Sequence, residues 1–178
     1  MDRPMHDLMF RAMSFVIKCR DLYRPRWRIL EERPGQRVLD YGCGPGSYTM
    51  IAARTVGAHG EVYAQDIHPL AVKKVEDAAM KAGIGNVTTI RSGCDTGLPD
   101  RSIDVVLLYD IFHDLSEPEA ILRELCRVMK EHAVLSFSDH HLKEHEIIVG
   151  MTGSNLFEYM RKDRFTYTFG KRQQNTRS

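Results

Sequence analysis

Three glycines at alternate positions, Gly42, Gly44 and Gly46, follow an apolar run that ends in the acid Asp40. Because glycine has no Cβ, the backbone of such a loop can adopt unusual dihedral angles and a ligand can approach it closely. A second acid, Asp66, follows 24 residues after Gly42 at the end of another apolar run. That spacing suits a carboxylate that accepts hydrogen bonds from two ribose hydroxyls. The pattern therefore favours a nucleotide-binding loop over a glycine-rich turn that binds nothing.

The spacing of the glycines also indicates which kind of nucleotide binds. A dinucleotide fingerprint has the spacing G-x-G-x-x-G and directs a helix N-terminus at a pyrophosphate. This chain has G-x-G-x-G instead, preceded by Asp40. An acid at that position would repel a pyrophosphate but suits a ligand with an ammonium and a sulfonium group. A nucleotide-linked dehydrogenase is therefore only a distant alternative.

Polar side chains after two later strands are candidates for the chemistry. His113 follows the apolar run that ends at Tyr109, and it is the best candidate for a general base if the reaction removes a proton. The alternative is a polar residue that opens the next helix. Asp110 and the pair Asp139-His140 could supply oxygen ligands for Mg²⁺. Because histidine is a poor magnesium ligand and carboxylates at strand ends are common, we predict no metal. We interpret the run DHHLKEHE as a solvated loop entering a helix.

An alternation of strands and helices brings these residues to one edge of a sheet. Apolar runs predict strands at RVLDYG, EVYAQDI, NVTTIRS, SIDVVLLYD and AVLSFSD, with helices between them. Ser47 is placed to cap the helix after the glycine loop, and EPEAILRELCRVMKE is predicted as one helix. NLFEYMRK and RFTYTFG predict two antiparallel strands around Lys162-Asp163. The chain is therefore predicted to be an α/β protein with a three-layer, doubly wound, Rossmann-like and mostly parallel sheet whose last strand is antiparallel.

Length and composition limit the class of protein. The 178 residues suit one domain, and 43% apolar and 28% charged residues are typical of a globular protein. The net charge of +1 argues against a dedicated nucleic-acid binder. The four scattered cysteines argue against a disulfide framework or zinc ribbon and fit a reducing cytoplasm. No apolar run approaches the ~20 residues that span a bilayer, and the N-terminus does not read as a signal peptide.

The order of these motifs resembles the class I S-adenosylmethionine-dependent methyltransferases, in particular the group that includes ubiquinone and menaquinone biosynthesis methyltransferases. VLDYGCGPGSYT resembles the first motif of the family, and VYAQDIHP resembles its acidic ribose-binding motif. GCDTGLPDRSIDVV is similar to the adenine-edge segment and the strand that follows it. LLYDIFHDL and ILRELCRVMKEHAVLSFSDHH resemble the fourth strand and the signature of a helix with the fifth strand. The resemblance implies S-adenosylmethionine as the cofactor and methyl transfer as the activity.

The resemblance also implies roles for individual residues. Gly44 and its two neighbouring glycines would pass under the methionine and ribose portions, Asp40 would orient the amino end, and Asp66 would hold the ribose. Ile67 would pack on adenine, and Tyr109 would lie near the sulfonium. The predicted catalytic residues are His113 and Tyr109.

The adenine segment departs from the family pattern. Where the family has an acid after the glycine, this chain has Cys94 followed by Asp95, so the adenine contact could shift to Asp95 or to backbone groups. The complete predicted cofactor-binding set is Asp40, Tyr41, Gly42, Gly44, Gly46, Asp66, Ile67, Cys94, Asp95 and Tyr109.

The helical spacing of apolar residues predicts an amphipathic helix over residues 5–18, and a second short helix is predicted at PRWRILEE. We therefore predict N-terminal helices over residues 1–33, as a lid or cap of the same domain, and a SAM-binding methyltransferase domain over residues 34–178. The methionine-rich face of residues 5–18 either acts as this lid or packs against the sheet. We predict a small-molecule acceptor, no membrane partner and a cytoplasmic location. The alternatives are a non-catalytic SAM-binding module or partner subunit and, because of the basic aromatic run RDLYRPRWR, an RNA methyltransferase.

Overall fold

The computed structural model describes residues 34–173. The strands are β1 Arg37–Tyr41, β2 Glu61–Asp66, β3 Val87–Arg91, β4 Ile103–Tyr109, β5 Met129–Ser138, β6 Phe157–Lys162 and β7 Tyr167–Lys171. The α-helices are α1 Ser47–Val56, α2 Pro69–Ala82, α3 Pro118–Val128 and α4 Glu144–Thr152, and a 3₁₀ turn covers Phe112–Asp114. The helices predicted within residues 1–33, the methionine-rich face and the run RDLYRPRWR lie outside the described residues, as do residues 174–178.

The strands form one sheet in the order β3-β2-β1-β4-β5-β7-β6. The first five strands pair in parallel, whereas β7 is antiparallel to both of its neighbours. The predicted mostly parallel sheet with an antiparallel last strand is therefore confirmed. The strand order reverses at β1, which lies between β2 and β4, and ligands bind beyond the carboxyl ends of the strands at such a point.

Alternate residues of the central strands serve the two helical layers. Val105 and Leu107 of β4 pack with Val56 of α1 in one cluster of buried side chains. Val106 and Leu108 belong to a second cluster with the apolar face of α3. Because successive side chains of a strand point to opposite faces, the nearly continuous apolar run of β4 is what a strand covered on both faces requires.

Two local predictions were wrong. Ser47 does not cap α1, because the N-cap residue is Gly46 with φ +84° and no side chain provides a capping hydrogen bond. The helix predicted as EPEAILRELCRVMKE ends at Val128, and β5 begins at the next residue. Met129 pairs with Ile103 of β4 and is fully buried, so pairing along the sheet overrides the helical propensity of this segment. Within residues 34–173, no helix has the length and hydropathy of a membrane span.

Candidate cofactor site and active site

The glycine loop after β1 is folded over the end of β2 by backbone hydrogen bonds. The N–H groups of Gly42 and Cys43 both donate to the carbonyl of Gln65, at 2.8 and 2.9 Å. The next N–H, that of Gly44, donates to Oδ2 of Asp66 at 2.9 Å. The two motifs that sequence reasoning assigned to one ligand are therefore joined directly.

The three glycines of this loop have left-handed φ angles of +74°, +53° and +84°, but their surroundings differ. A Cβ at Gly42 would lie 2.9 Å from Ile111, and one at Gly46 would lie 2.8 Å from Val75. A Cβ at Gly44 would meet no atom within 4 Å. Gly42 and Gly46 are therefore required by packing within the protein, whereas the backbone at Gly44 borders open space.

Asp66 lies at the carboxyl end of β2, where the ribose contact was predicted. Besides the Gly44 N–H, its carboxylate accepts the N–H of His68 at 2.8 Å through the other oxygen. Burial raises the pKa of Asp66, and the bonds from the backbone N–H groups of His68 and Gly44 only partly oppose this. Because each carboxylate oxygen has two lone-pair sites, both oxygens can accept a further hydrogen bond from a ribose hydroxyl.

The loop after β3 is held by two side chains that act on one carbonyl oxygen. The hydroxyl of Tyr41 and Nε2 of Gln65 each donate to the carbonyl of Gly93 at 2.7 Å. Gln65 is buried, and its Oε1 has no hydrogen-bond partner among residues 34–173. Sequence reasoning included Tyr41 but missed Gln65, although its position directly before Asp66 places it beside the site.

The adenine-edge segment continues from this carbonyl as an exposed turn. Asp95 accepts the N–H of Gly97 at 2.8 Å, and Cys94 is exposed. Partial burial and the nearby charge of Glu124 raise the pKa of the Cys94 thiol. Across from this segment, a methyl group at Gly93 would contact Ile67 at 3.9 Å, so Ile67 borders the space in which adenine was predicted.

A charged anchor on α3 fixes the end of the same segment. Glu124 accepts the backbone N–H and the hydroxyl of Thr96 through Oε1, at 2.9 and 2.5 Å. Hydrogen bonds from Arg127 lower the pKa of Glu124 to about 2. The carboxylate therefore stays charged and keeps its hydrogen bonds to Thr96 through the neutral pH range.

Asp40 and Tyr109, near the carboxyl ends of β1 and β4, are both buried. Asp40 is 2% exposed and accepts the hydroxyl hydrogen of Thr49 on α1. The hydroxyl of Tyr109 is hydrogen-bonded to Ser136 of β5 at 2.7 Å, and its ring packs edge-on against Tyr48 at 4.8 Å. The roles predicted for Asp40 at the amino end and for Tyr109 near the sulfonium stay predictions.

His113 is held at the carboxyl ends of β4 and β5. Its Nδ1 lies 2.8 Å from Oδ2 of Asp139, and its backbone N–H donates to the same oxygen at 3.1 Å. The other oxygen of Asp139 accepts the N–H of His141 at 3.0 Å. The imidazole Nε2 of His113 lies 3.4 Å from Oδ2 of the exposed Asp114.

A second histidine–aspartate pair, His140 with Asp110, lies at the same two strand ends. His140, which follows β5, has Nδ1 at 2.9 Å from Oδ1 of Asp110, which follows β4 and has a left-handed φ of +54°. Each strand end thus supplies a carboxylate to a histidine of the other. Atoms of Asp110, Asp139 and His140 that could bind a metal lie within 4.8 Å of one another. However, Asp110 already accepts a hydrogen bond from His140, and Asp139 accepts one from His113. The absence of a metal stays a prediction.

A family model for the methyltransferase domain matches residues 32–175. The chain belongs to this family. Ubiquinone/menaquinone biosynthesis C-methyltransferase UbiE from Shewanella sp. (strain ANA-3) is 29% identical over 145 residues, which are 80% of this chain and 57% of that relative. The chain therefore spans little more than half the length of this curated relative.

Solved structures agree with this assignment. A SAM-dependent methyltransferase from Aquifex aeolicus is 28% identical with a TM-score of 0.71, over 87% of this chain and 95% of that one. A methyltransferase of Haloferax volcanii in complex with the Trm112 methyltransferase activator has a TM-score of 0.71 at 16% identity, over 95% and 98% of the two chains. The second likeness concerns the fold alone. The predicted class, class I SAM-dependent methyltransferase, and its cofactor, S-adenosylmethionine, are confirmed.

The methyltransferase domain offers a cradle that fits this cofactor. The backbone at Gly44 faces open space, and the carboxylate of Asp66, which is bonded to the Gly44 N–H, can accept further hydrogen bonds. The hydrogen bond from Gln65 to the carbonyl of Gly93 holds the loop after β3 at the other end of the cradle. Asp139, which orients His113, had been considered only as a metal ligand from the sequence. In the sequence Asp139 is recognisable only as an acid directly after a strand, and its link to His113 requires the knowledge that this strand neighbours β4.

Proposed function

We propose that this methyltransferase domain transfers the methyl group of S-adenosylmethionine to a small-molecule acceptor. The proposal rests on the pair of His113 with the buried Asp139, which stands at the same edge of the sheet as Gly44 and Asp66. A base at this edge is useful only if an acceptor loses a proton there. The UbiE relative, a C-methyltransferase of ubiquinone and menaquinone biosynthesis by name, supports an acceptor of low molecular weight.

The cofactor, when bound, supplies a methyl group on a sulfonium, which is already a good leaving group. The protein therefore has mainly to align the reactants, and alignment contributes up to ~7–11 kcal/mol. In this proposal Asp66 orients the ribose, the backbone at Gly44 lies under the cofactor, and Asp40 orients the amino end. Ile67 and the segment of Cys94 and Asp95 border adenine. Tyr109 forms the wall near the sulfonium.

His113 accepts the proton of the acceptor. Because a carboxylate only accepts hydrogen bonds, the proton of the neutral imidazole lies on Nδ1 toward Asp139, and Nε2 has the lone pair. Once Nε2 has gained a proton, Asp139 and the nearby Asp114 both stabilise the imidazolium. Such a positioned base adds ~10²–10⁴-fold to the rate.

A methyl-acceptor screen that records S-adenosylhomocysteine release tests the proposal. We expect release with a compound of low molecular weight, no release with tRNA or rRNA fragments, and no change when EDTA is added. Release that requires RNA would replace the small-molecule acceptor with RNA. If the protein binds S-adenosylhomocysteine but no acceptor gives turnover, a non-catalytic SAM-binding module is the better description. A cytoplasmic location stays a prediction.

A further inference from the structure

A cavity of about 230 Å³ opens between the carboxyl end of β5 and the turn that joins β6 to β7. We call it the β5–β7 cavity. Asp139, the residue that orients His113, forms part of its lining, so a molecule in the cavity lies next to this residue. Apolar and aromatic side chains form its wall, namely Leu142, Ile147, Phe165 and Tyr167.

Lys162 and Arg164, which line the cavity, and Arg161, which lies next to Lys162 in sequence, differ in their partners. Lys162 forms an ion pair with Glu144, which raises the pKa of the lysine. Arg161, on the same strand, pairs with Asp163 at 3.6 Å. Arg164 lies over the ring of the next residue, Phe165, at 5.0 Å, and no carboxylate within residues 34–173 forms an ion pair with it.

The acidic group in the lining is already satisfied. Asp139 accepts three hydrogen bonds, two from His113 and one from the N–H of His141. The positive charge of Arg164 is therefore the charge of this cavity that has no opposite partner within the described residues. A planar guanidinium binds a carboxylate through two parallel hydrogen bonds.

We propose that the β5–β7 cavity binds the methyl acceptor and that this acceptor is a single-ring compound with a carboxylate group. This inference rests on the proposed function, since it assumes a small-molecule acceptor. Arg164 holds the carboxylate, the ring packs against the aromatic wall, and the end near Asp139 carries the atom that receives the methyl group. The volume lies below the ~300–1,000 Å³ of pockets for drug-sized ligands, which limits the ligand to about one ring.

Paired ligands test this inference in the presence of S-adenosylhomocysteine. A panel of hydroxybenzoic and aminobenzoic acids is compared by calorimetry with the corresponding carboxamides, which have the same shape without the charge. We expect at least one acid to bind about tenfold or more tightly than its amide, the effect of a hydrogen bond to a charged group. Arg164→Gln should reduce this preference to within about twofold.

Arg161→Gln is the matched control, because Arg161 is an exposed arginine near the same turn whose charge is already paired. It should leave the preference unchanged. If no acid of the panel binds, if acids and amides bind equally, or if Arg161→Gln has the same effect as Arg164→Gln, the inference is wrong. The proposed function is judged separately, because S-adenosylhomocysteine release with a neutral acceptor would uphold it while overturning the anionic acceptor.

Discussion

His113 and Asp139 come from the ends of different strands, and one carboxylate oxygen of Asp139 accepts both the backbone N–H and the Nδ1–H of His113. The side chain of Asp139 is fully buried, whereas 20% of the imidazole is exposed. The buried acid thus fixes the ring, part of which remains exposed. In the proposed function His113 is the base and Asp139 is the residue that orients it.

Replacement of His113 by alanine should lower turnover by ~10²–10⁴-fold with an acceptor that loses a proton. The affinity for S-adenosylhomocysteine, measured by calorimetry, should remain unchanged, since none of the proposed cofactor contacts involves His113.

Asp139→Asn and His145→Ala complete this experiment. Asp139→Asn keeps His113 but weakens its orientation, so turnover should fall while cofactor affinity is retained. His145 is an exposed histidine of α4, and its alanine variant should behave as wild type. Turnover of folded His113→Ala within about twofold of wild type would remove His113 from the mechanism.

Valine at Gly44 should abolish binding of S-adenosylhomocysteine, because the side chain would fill the open space above the loop. Gly83→Val is a matched control, since Gly83 also has a left-handed φ, +65°, and a Cβ there would also meet no atom within 4 Å, but it ends α2 away from the loop. Both substitutions should cost about 1–2 kcal/mol of unfolding free energy through backbone strain. Loss of binding in both variants, or in neither, would contradict a ligand contact at Gly44.

The parts of the fold that sequence patterns predicted are those with a clear hydrophobic period. β4 was recognisable because a central parallel strand must be apolar on both faces. The pair β6 and β7 was recognisable as two strand-like segments around a polar turn, but the turn was predicted one residue too early, since Lys162 belongs to β6 and pairs with Tyr167. The end of α3 was misjudged because Val128 and Met129 fit a helical period and a strand equally well, and only the pairing with β4 decides between them.

The site was predictable to the extent that it depends on strand ends. Glycines after β1 and an acid after β2 must meet, because the carboxyl ends of adjacent parallel strands share one edge. The pairing of His113 with Asp139 needed the lateral order of β4 and β5, which no local pattern contains. The distinct environments of the glycines likewise depend on Ile111 and Val75, which are far away in sequence.

Asp66→Ala should weaken the binding of S-adenosylhomocysteine by about 1.5–3 kcal/mol, the value of hydrogen bonds to a charged group. Asp66→Asn should lose less, because the amide oxygen still accepts one hydroxyl. Asp77, an exposed acid of α2 that pairs with Lys73, provides the control, and Asp77→Ala should bind as wild type. Wild-type affinity of a folded Asp66→Ala protein would show that the ribose assignment is wrong.

Protonation of Asp66 should affect the affinity for S-adenosylhomocysteine and the free energy of unfolding in opposite directions. Burial raises the pKa of Asp66, so in acid the carboxyl gains its proton at a higher pH than an ordinary aspartate, whose pKa is about 3.9. S-adenosylhomocysteine affinity should therefore decrease as the pH falls through this raised pKa, because the charged acceptor of the ribose hydroxyls is lost.

The stability of the ligand-free protein should change in the other direction. A raised pKa contributes unfolding free energy that is fully present below the pKa of the unfolded state and is lost as the pH rises through the pKa of the folded state. Asp66→Asn removes this titration while keeping the neighbouring His68 and Cys43, so a comparison of variant and wild type isolates the contribution of Asp66. Calorimetric affinities and urea unfolding of both proteins across the acidic range measure the two effects. Identical pH profiles for wild type and Asp66→Asn would contradict the assignment of either effect to this carboxylate.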